Sequence, residues 1–339
     1  MKFVEACGAR LSAVGLGTWQ FGSQEWGYGA EYDSKEAGAI LNRALDLGIN
    51  VIDTAEIYGF GRSEKIIGKA LGQRRSEALI ASKILPVLPV GPVLENRVAG
   101  SLRRLGVEKL DLYQLHQPNP VVPLKATMPA LAKLVGEGRI GQVGVSNYSL
   151  QRWQAAEASY GGPVMSNQVR YNLLDRRPEG ELLGWAQREG RIVIAYSPVA
   201  QGLLSGRYDV DHKPPGTMRS GSAAFSEEHL QRVRPVLEAL REVAQSHGAT
   251  PAQISLAWLI RRPGVVVIPG ASSVEQVEAN AEAADIELSD DEDRSLTAAS
   301  DGYRPLDKSR VVAIATSQRI HSLAERVRAR GHRTPSATR

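Results

Sequence analysis

Short apolar runs recur along the chain, each bounded by turn formers and separated from the next by a segment of helical period. The runs that read as strands are Val14–Trp19, Asn50–Thr54, Ala78–Lys83, Leu110–His116, Ile140–Ser146, Val164–Val169, Arg191–Ser197 and Val265–Gly270. Several are rich in Val and Ile, as strands buried on both faces are. Ser34–Leu47 sets Ala37, Ile40, Leu41, Ala44, Leu45 and Leu47 on one helical face. Asp33 or Ser34 can cap its start, and Gly48 its end. Asn96–Leu105, Leu124–Val135 and Leu182–Arg188 repeat the pattern and run into Gly106, Gly136 and Gly190. Further helices are predicted over Glu227–His247, Ser273–Ala283 and Ser289–Ala299. Ahead of them all, KFVEACGARLSA reads as two short strands around a Gly8-Ala9 turn.

Strands alternating with helices predict an α/β fold with a parallel sheet. Closure into a (β/α)8 TIM barrel, with an N-terminal β-hairpin and extra C-terminal helices, uses every unit. A doubly wound sheet is the alternative. It favours a GxGxxG turn after its first strand, and Gly15-Leu16-Gly17-Thr18-Trp19-Gln20 breaks that pattern at its last position. The repeating pattern spans residues 1–302, and residues 303–339 form an extension in which Ser317–Arg330 has the character of a basic helix. One connection stands out. Pro198 to Ser226 is long and rich in Gly, Pro and Ser, as functional or disordered loops are.

Charge sharpens this division. The net charge of the 339 residues is +4, yet residues 303–339 alone carry nine Arg or Lys against two acids, which leaves the body slightly acidic. The basic balance is therefore a property of the tail. It reads as a solvated helix and frayed end, with an anionic partner as the alternative, and nucleic acid is not expected as a partner. Cys7 is the one cysteine, so no intrachain disulfide can form, and a cytoplasmic location is the simplest fit. Glu5 and Arg10 interrupt any export signal, and no apolar run reaches the ~18 residues of a membrane span.

Chemistry collects at the strand ends. The second strand stops at Asp53 and delivers Tyr58 into its loop; the third ends at Lys83 and the fourth at His116. In a closed barrel these strands are neighbours, and their C-terminal ends share one sector of the face where barrel enzymes work. The set suits proton delivery to a carbonyl. A phenol with an ordinary pKa of about 10 is a weak acid at neutral pH, and a nearby cation lowers it. Lys83 can do this to Tyr58, Asp53 can hold Lys83 charged, and His116 can hydrogen-bond the carbonyl oxygen. No HExxH or CxxC occurs, and no metal cage is visible. A site that handles protons but has no hydride source needs a cofactor.

The ordered motifs carry a resemblance. GLGTW at Gly15–Trp19, DTAEIYGFGRSE at Asp53–Glu64, ASK at Ala81–Lys83 and LH at Leu115–His116 resemble the aldo-keto reductases. So do GVSNY at Gly144–Tyr148, NQVRYN at Asn167–Asn172, YSPVAQGLLSG at Tyr196–Gly206 and IPGASSVEQVEAN at Ile268–Asn280. The resemblance covers roughly residues 1–300. It implies that Asp53, Tyr58, Lys83 and His116 are a catalytic tetrad with Tyr58 as general acid. It implies that Ser146, Asn147 and Gln168 hold the nicotinamide carboxamide and that Tyr196 stacks on the ring. Thr18 and Trp19 fall beside the cofactor. Ser197, Gly202, Arg207 and Arg219 lie in the segment that folds over the pyrophosphate, and Gly270, Ser272, Gln276 and Asn280 match the adenosine end.

One departure matters. Many members of the family hold the 2′-phosphate with a Lys and an Arg at positions that here are Gly270 and Gln276. The pattern instead resembles the branch that includes the potassium channel β subunits, where basic residues of the long loop take that role; Arg207 and Arg219 match them. The resemblance thus implies NADP(H) and a small-molecule carbonyl substrate, with the protein a monomer or homo-oligomer. A slow-turnover, cofactor-sensing regulatory subunit is the rival reading. Trp26, Tyr28 and Tyr32, after the first strand, are candidates for the substrate mouth.

Overall fold

A computed structural model describes residues 1–24, 28–29, 32–209, 212, 214, 222–307 and 309–312. The chain begins with an antiparallel hairpin, β1 (Phe3–Ala6) and β2 (Ala9–Ser12). Its turn is Cys7-Gly8, one residue earlier than the sequence pattern predicts. Both turn residues have positive φ, 48° and 77°, the backbone that suits the twist of a two-residue hairpin.

Eight parallel strands follow in sequential order: β3 (Leu16–Gly17), β4 (Val51–Asp53), β5 (Leu79–Ile84), β6 (Leu110–Leu115), β7 (Ile140–Ser146), β8 (Ser166–Arg170), β9 (Ile192–Tyr196) and β10 (Val265–Val267). Parallel bridges Val14↔Val267 and Gly17↔Gly270 join the first strand to the last and close the barrel. The seam is made by Gly15 N–H to Val267 O (2.7 Å), Val267 N–H to Ala13 O (2.9 Å) and Gly17 N–H to Pro269 O (2.9 Å). Glycine at position 17 is a packing requirement. A Cβ there would lie 2.6 Å from the carbonyl oxygen of Ile268, inside any real contact.

Alternation along the strands divides the core in two. Val51, Ala81, Leu112, Ile192, Ile194 and Val266 form an inner cluster, and Leu11 and Ala6 of the hairpin belong to it. The hairpin therefore plugs the N-terminal end. Asn50 fastens it there, accepting from Ser12 N–H (2.7 Å) and donating to Arg10 O (2.8 Å). The larger cluster lies between the strands and the helices.

Those helices are α1 (Ser34–Asp46), α2 (Arg62–Leu71), α3 (Gly91–Leu105), α4 (Leu124–Gly136), α5 (Leu150–Tyr160), α6 (Glu181–Arg188), α7 (Glu227–Ser246), α8 (Pro251–Ile260), α9 (Val274–Glu282) and α10 (Asp290–Gly302). Asp33 caps α1 through a reciprocal capping box with Glu36. Among the described residues, three helices escape the sequence pattern. All of α8 from Gln253 to Ile260 is buried, so it has no polar face to set a period. Helix α5 buries only Trp153 and Ala156. In helix α2 the apolar pattern is broken by Gly68, which lets the helix pack on α3: a Cβ there would meet the Leu105 carbonyl at 2.3 Å. The segment Ser317–Arg330, Trp26 and Arg219 lie outside the described residues. Among the described residues no helix is long and apolar enough to cross a membrane.

Candidate active site

Strands β4, β5 and β6 are adjacent, with Asp53 opposite Ala81 and Lys83 opposite Gln114 in register. Alternation turns Asp53 and Lys83 inward at the C-terminal end of the barrel, one layer above the apolar plug. Lys83 is fully buried. Its ammonium donates to Asp53 Oδ1 (2.6 Å), Thr54 O (2.8 Å) and Tyr58 OH (3.2 Å), three acceptors for three N–H groups. Asp53 is also buried, and its other oxygen accepts from Gln168 Nε2 (2.7 Å). Both charges are thus paired and hydrogen-bonded, the condition for keeping ions in a dry interior.

The electrostatics differ from the sequence expectation at one point. Burial raises the Tyr58 pKa, and the lowering by Lys83 does not overcome it, since Asp53 adds to the rise. The expectation that Lys83 brings Tyr58 below its ordinary value is therefore corrected: in the free protein the phenol holds its proton throughout the neutral range. Lys83 is itself pulled down by burial, but the Asp53 carboxylate, followed by Tyr58, more than restores it, and the ammonium stays charged. His116 is the opposite case. Burial, with Lys83 close by, pushes its pKa down to about 3, so the imidazole is neutral. Its Nδ1 is buried with no protein partner. Its ring meets that of Tyr58 edge-on at 5.9 Å.

Ser146, Asn147, Gln168 and Tyr196 come together on the next three strands. Tyr196 OH donates to Asn147 Oδ1 (2.9 Å), Asn147 Nδ2 to Ser146 Oγ (3.0 Å) and to His116 O (3.2 Å), and Ser146 Oγ to Gln168 O (2.8 Å). Gln168 joins this network to Asp53, a link that the sequence pattern does not reveal. Asn147 has φ 62°, in the left-handed region that asparagine tolerates. Ser197 (φ 50°) and Gly202 (φ 96°) bend the chain beyond β9, and Arg207 is exposed a few residues on.

Gly270, Ser272, Gln276 and Asn280 gather at the start of α9. Gln276 Oε1 accepts from Ser272 N–H (2.9 Å) and Oγ (3.2 Å), and Asn280 Nδ2 donates to Gly270 O (3.3 Å). A Cβ on Gly270 would fall 2.7 Å from Gln20 Oε1, so a larger residue here would have to displace the end of the Gln20 side chain. Thr18 is placed differently from the other candidates. It is fully buried, its hydroxyl donates to Asp53 O (2.8 Å), and it shares a hydrogen bond with Ser63 Oγ (2.8 Å). Its side chain supports the loop that follows Asp53 rather than facing an open cleft.

Apolar side chains are exposed in the loops at this end of the barrel. Trp19 tilts against Tyr58 with ring centroids 6.5 Å apart. Ile57, Phe60, Val87, Leu88 and Val121 are exposed in the loops after β4, β5 and β6, with Phe60 94% exposed. Tyr32 is buried, its hydroxyl donates to Gln20 O (2.5 Å), and its ring meets Tyr28 edge-on. This pair packs the loop.

Fold and site together define a barrel oxidoreductase. The model of the Aldo/keto reductase family matches residues 13–301, and the chain belongs to that family. An uncharacterized oxidoreductase of Mycobacterium tuberculosis is 49% identical over 321 residues, 94% of this chain and 99% of the relative. A methylglyoxal reductase of Escherichia coli is 34% identical over 82% of this chain and 87% of its own. Among solved structures, an aldo-keto reductase from Klebsiella pneumoniae in complex with NADPH aligns with TM-score 0.72 at 35% identity, covering 91% of this chain and 98% of that one.

Proposed function

We propose that this protein is an NADP(H)-dependent carbonyl reductase in which Tyr58 is the proton donor. The observation that carries the reading is the buried chain Asp53–Lys83–Tyr58, with contacts of 2.6 and 3.2 Å. It ends on a protonated phenol at the end of the barrel where apolar loop side chains are exposed.

The residues present fit a nicotinamide dinucleotide. Tyr196 is partly exposed at the end of β9, beside the polar groups of Ser146, Asn147 and Gln168. The start of α9 is capped by Ser273, and a helix N-terminus favours phosphate. Arg207 supplies an exposed guanidinium, a geometry suited to phosphate. That the Klebsiella relative was crystallised with NADPH supports the same cofactor here. When bound, it supplies the hydride for the carbonyl carbon.

This chain's residues handle the oxygen. The carbonyl oxygen sits between Tyr58 OH and the His116 imidazole. As negative charge develops on it, the Tyr58 proton moves to the oxygen, and Lys83 stabilises the phenolate left behind. His116, neutral, contributes a hydrogen bond and no proton. Asp53 keeps Lys83 charged and aimed. Hydride on carbon and proton on oxygen together make the alcohol. The apolar side chains of the mouth favour aldehydes and ketones with apolar substituents. Incubation with NADPH and a panel of aldehydes, following loss of the reduced cofactor, tests the proposal. Steady consumption supports it, whereas tight binding with no consumption of cofactor by any carbonyl would point to a sensing subunit.

A further inference from the structure

Tyr58 opens a single 3-10 turn, Tyr58–Gly61, whose interior departs from helical geometry. Immediately after Tyr58, Gly59, Phe60 and Gly61 all have positive φ (54°, 56° and 83°), and Phe60 is a residue that resists that backbone. Two residues before Tyr58 stands Glu56, an acid that the proposed chemistry does not use. Its carboxylate is nearly enclosed, with 11% of the side chain exposed. One oxygen accepts the Leu85 N–H (2.7 Å) and an Arg97 Nη2 hydrogen; the other accepts Arg97 Nε (3.0 Å). Arg97, from the middle of α3, donates in addition to Leu85 O (2.9 Å) and Val87 O (3.2 Å). The Glu56 N–H reaches Lys83 O (3.3 Å), and the Tyr58 N–H closes a turn on Ala55 O (3.0 Å).

The carboxylate therefore ties the loop carrying Tyr58 to the exit of the strand carrying Lys83, and a two-pronged guanidinium braces the junction against α3. We infer that Glu56 and Arg97 are positioning residues that hold the Tyr58 hydroxyl against Lys83 and so set the rate of proton transfer. The inference rests on Tyr58 being the donor. Glu56 touches neither the substrate nor the reacting atoms; it acts through the placement of the loop. Misplacing a reacting group by an ångström is enough to cost on the order of 10²-fold in rate.

The test is Glu56→Gln, which keeps an acceptor for Leu85 N–H but loses the charged fork, alongside the milder Arg97→Lys, which keeps the charge without the fork geometry. Turnover is measured on para-substituted benzaldehydes from nitro to methoxy. NADPH affinity is measured by fluorescence and stability by thermal melting. Both variants should lose about 10- to 100-fold in kcat with NADPH affinity retained. The loss should be largest for the electron-rich methoxy aldehyde, which depends most on protonation, and smallest for the nitro aldehyde. Glu56→Gln combined with Arg97→Lys should be no worse than the poorer single variant, because the two act at one contact. Unchanged kcat in either folded variant, or a loss uniform across the aldehyde series, would overturn the inference. Full activity of Tyr58→Phe would instead remove its premise and leave Glu56 a brace for the loop alone.

Discussion

Acidification offers a sharp test of the state assigned to His116. Its ordinary pKa of 6.5 falls to about 3 in the folded protein. Between those values the unfolded chain binds a proton that the native state refuses, so stability is present above about pH 6.5 and is lost as pH falls toward 3. At pH 5 the full shift corresponds to about 2 kcal/mol, against a few tenths at pH 7. Part of the ring reaches water, so a net loss of about 1–2 kcal/mol is expected from this residue. His229, also lowered by burial, pushes in the same direction and must be separated. Urea denaturation followed by tryptophan fluorescence, at both pH values, on the unmodified protein and on His116→Leu makes that separation, since all other groups cancel in the comparison. The unmodified protein should lose about 1–2 kcal/mol more than the variant on acidification. Equal losses would refute a neutral, proton-excluding His116, and with it the assignment of proton donation to Tyr58 alone.

Other perturbations follow from the same geometry. Asp53→Asn strands a buried ammonium and sets an amide against the Lys83 or Gln168 donor; it should cost about 3–5 kcal/mol in chemical denaturation and depress kcat. Gly17→Ala places a methyl against the Ile268 carbonyl at the barrel seam, and a cost of about 1–3 kcal/mol should appear as a lowered melting temperature. Arg207→Ala should raise KM for NADPH while leaving that for NADH nearly unchanged, which steady-state titration of both cofactors will show.

The strands were largely legible because each is a short apolar run with a defined stop, and closure fixes their order once eight are counted. The Asp53–Lys83 pair was legible for the same reason: both residues sit at strand ends, and alternation sends both inward. The sense of the Tyr58 pKa was not, because burial is a property of the assembled barrel and outweighs the one neighbour that the motif names. The bond from Gln168 to Asp53 crosses the barrel, and the fork between Glu56 and Arg97 joins a loop to a helix; neither has a local pattern. Helix α8 was hidden by the burial of every residue from Gln253 to Ile260, and the hairpin turn was displaced because Cys7, rather than Ala9, accepts the left-handed backbone beside Gly8.

If Tyr58 gives the proton, Tyr58→Phe removes the donor and leaves the rest of the site in place. The ring remains to fill its place beside Trp19 and His116, and only the hydroxyl that meets Lys83 is lost. NADPH binding, read by fluorescence titration, should be retained, while carbonyl turnover should fall by about 10²- to 10⁴-fold, the usual contribution of a general acid. Turnover equal to that of the unmodified protein would rule out Tyr58 as the donor.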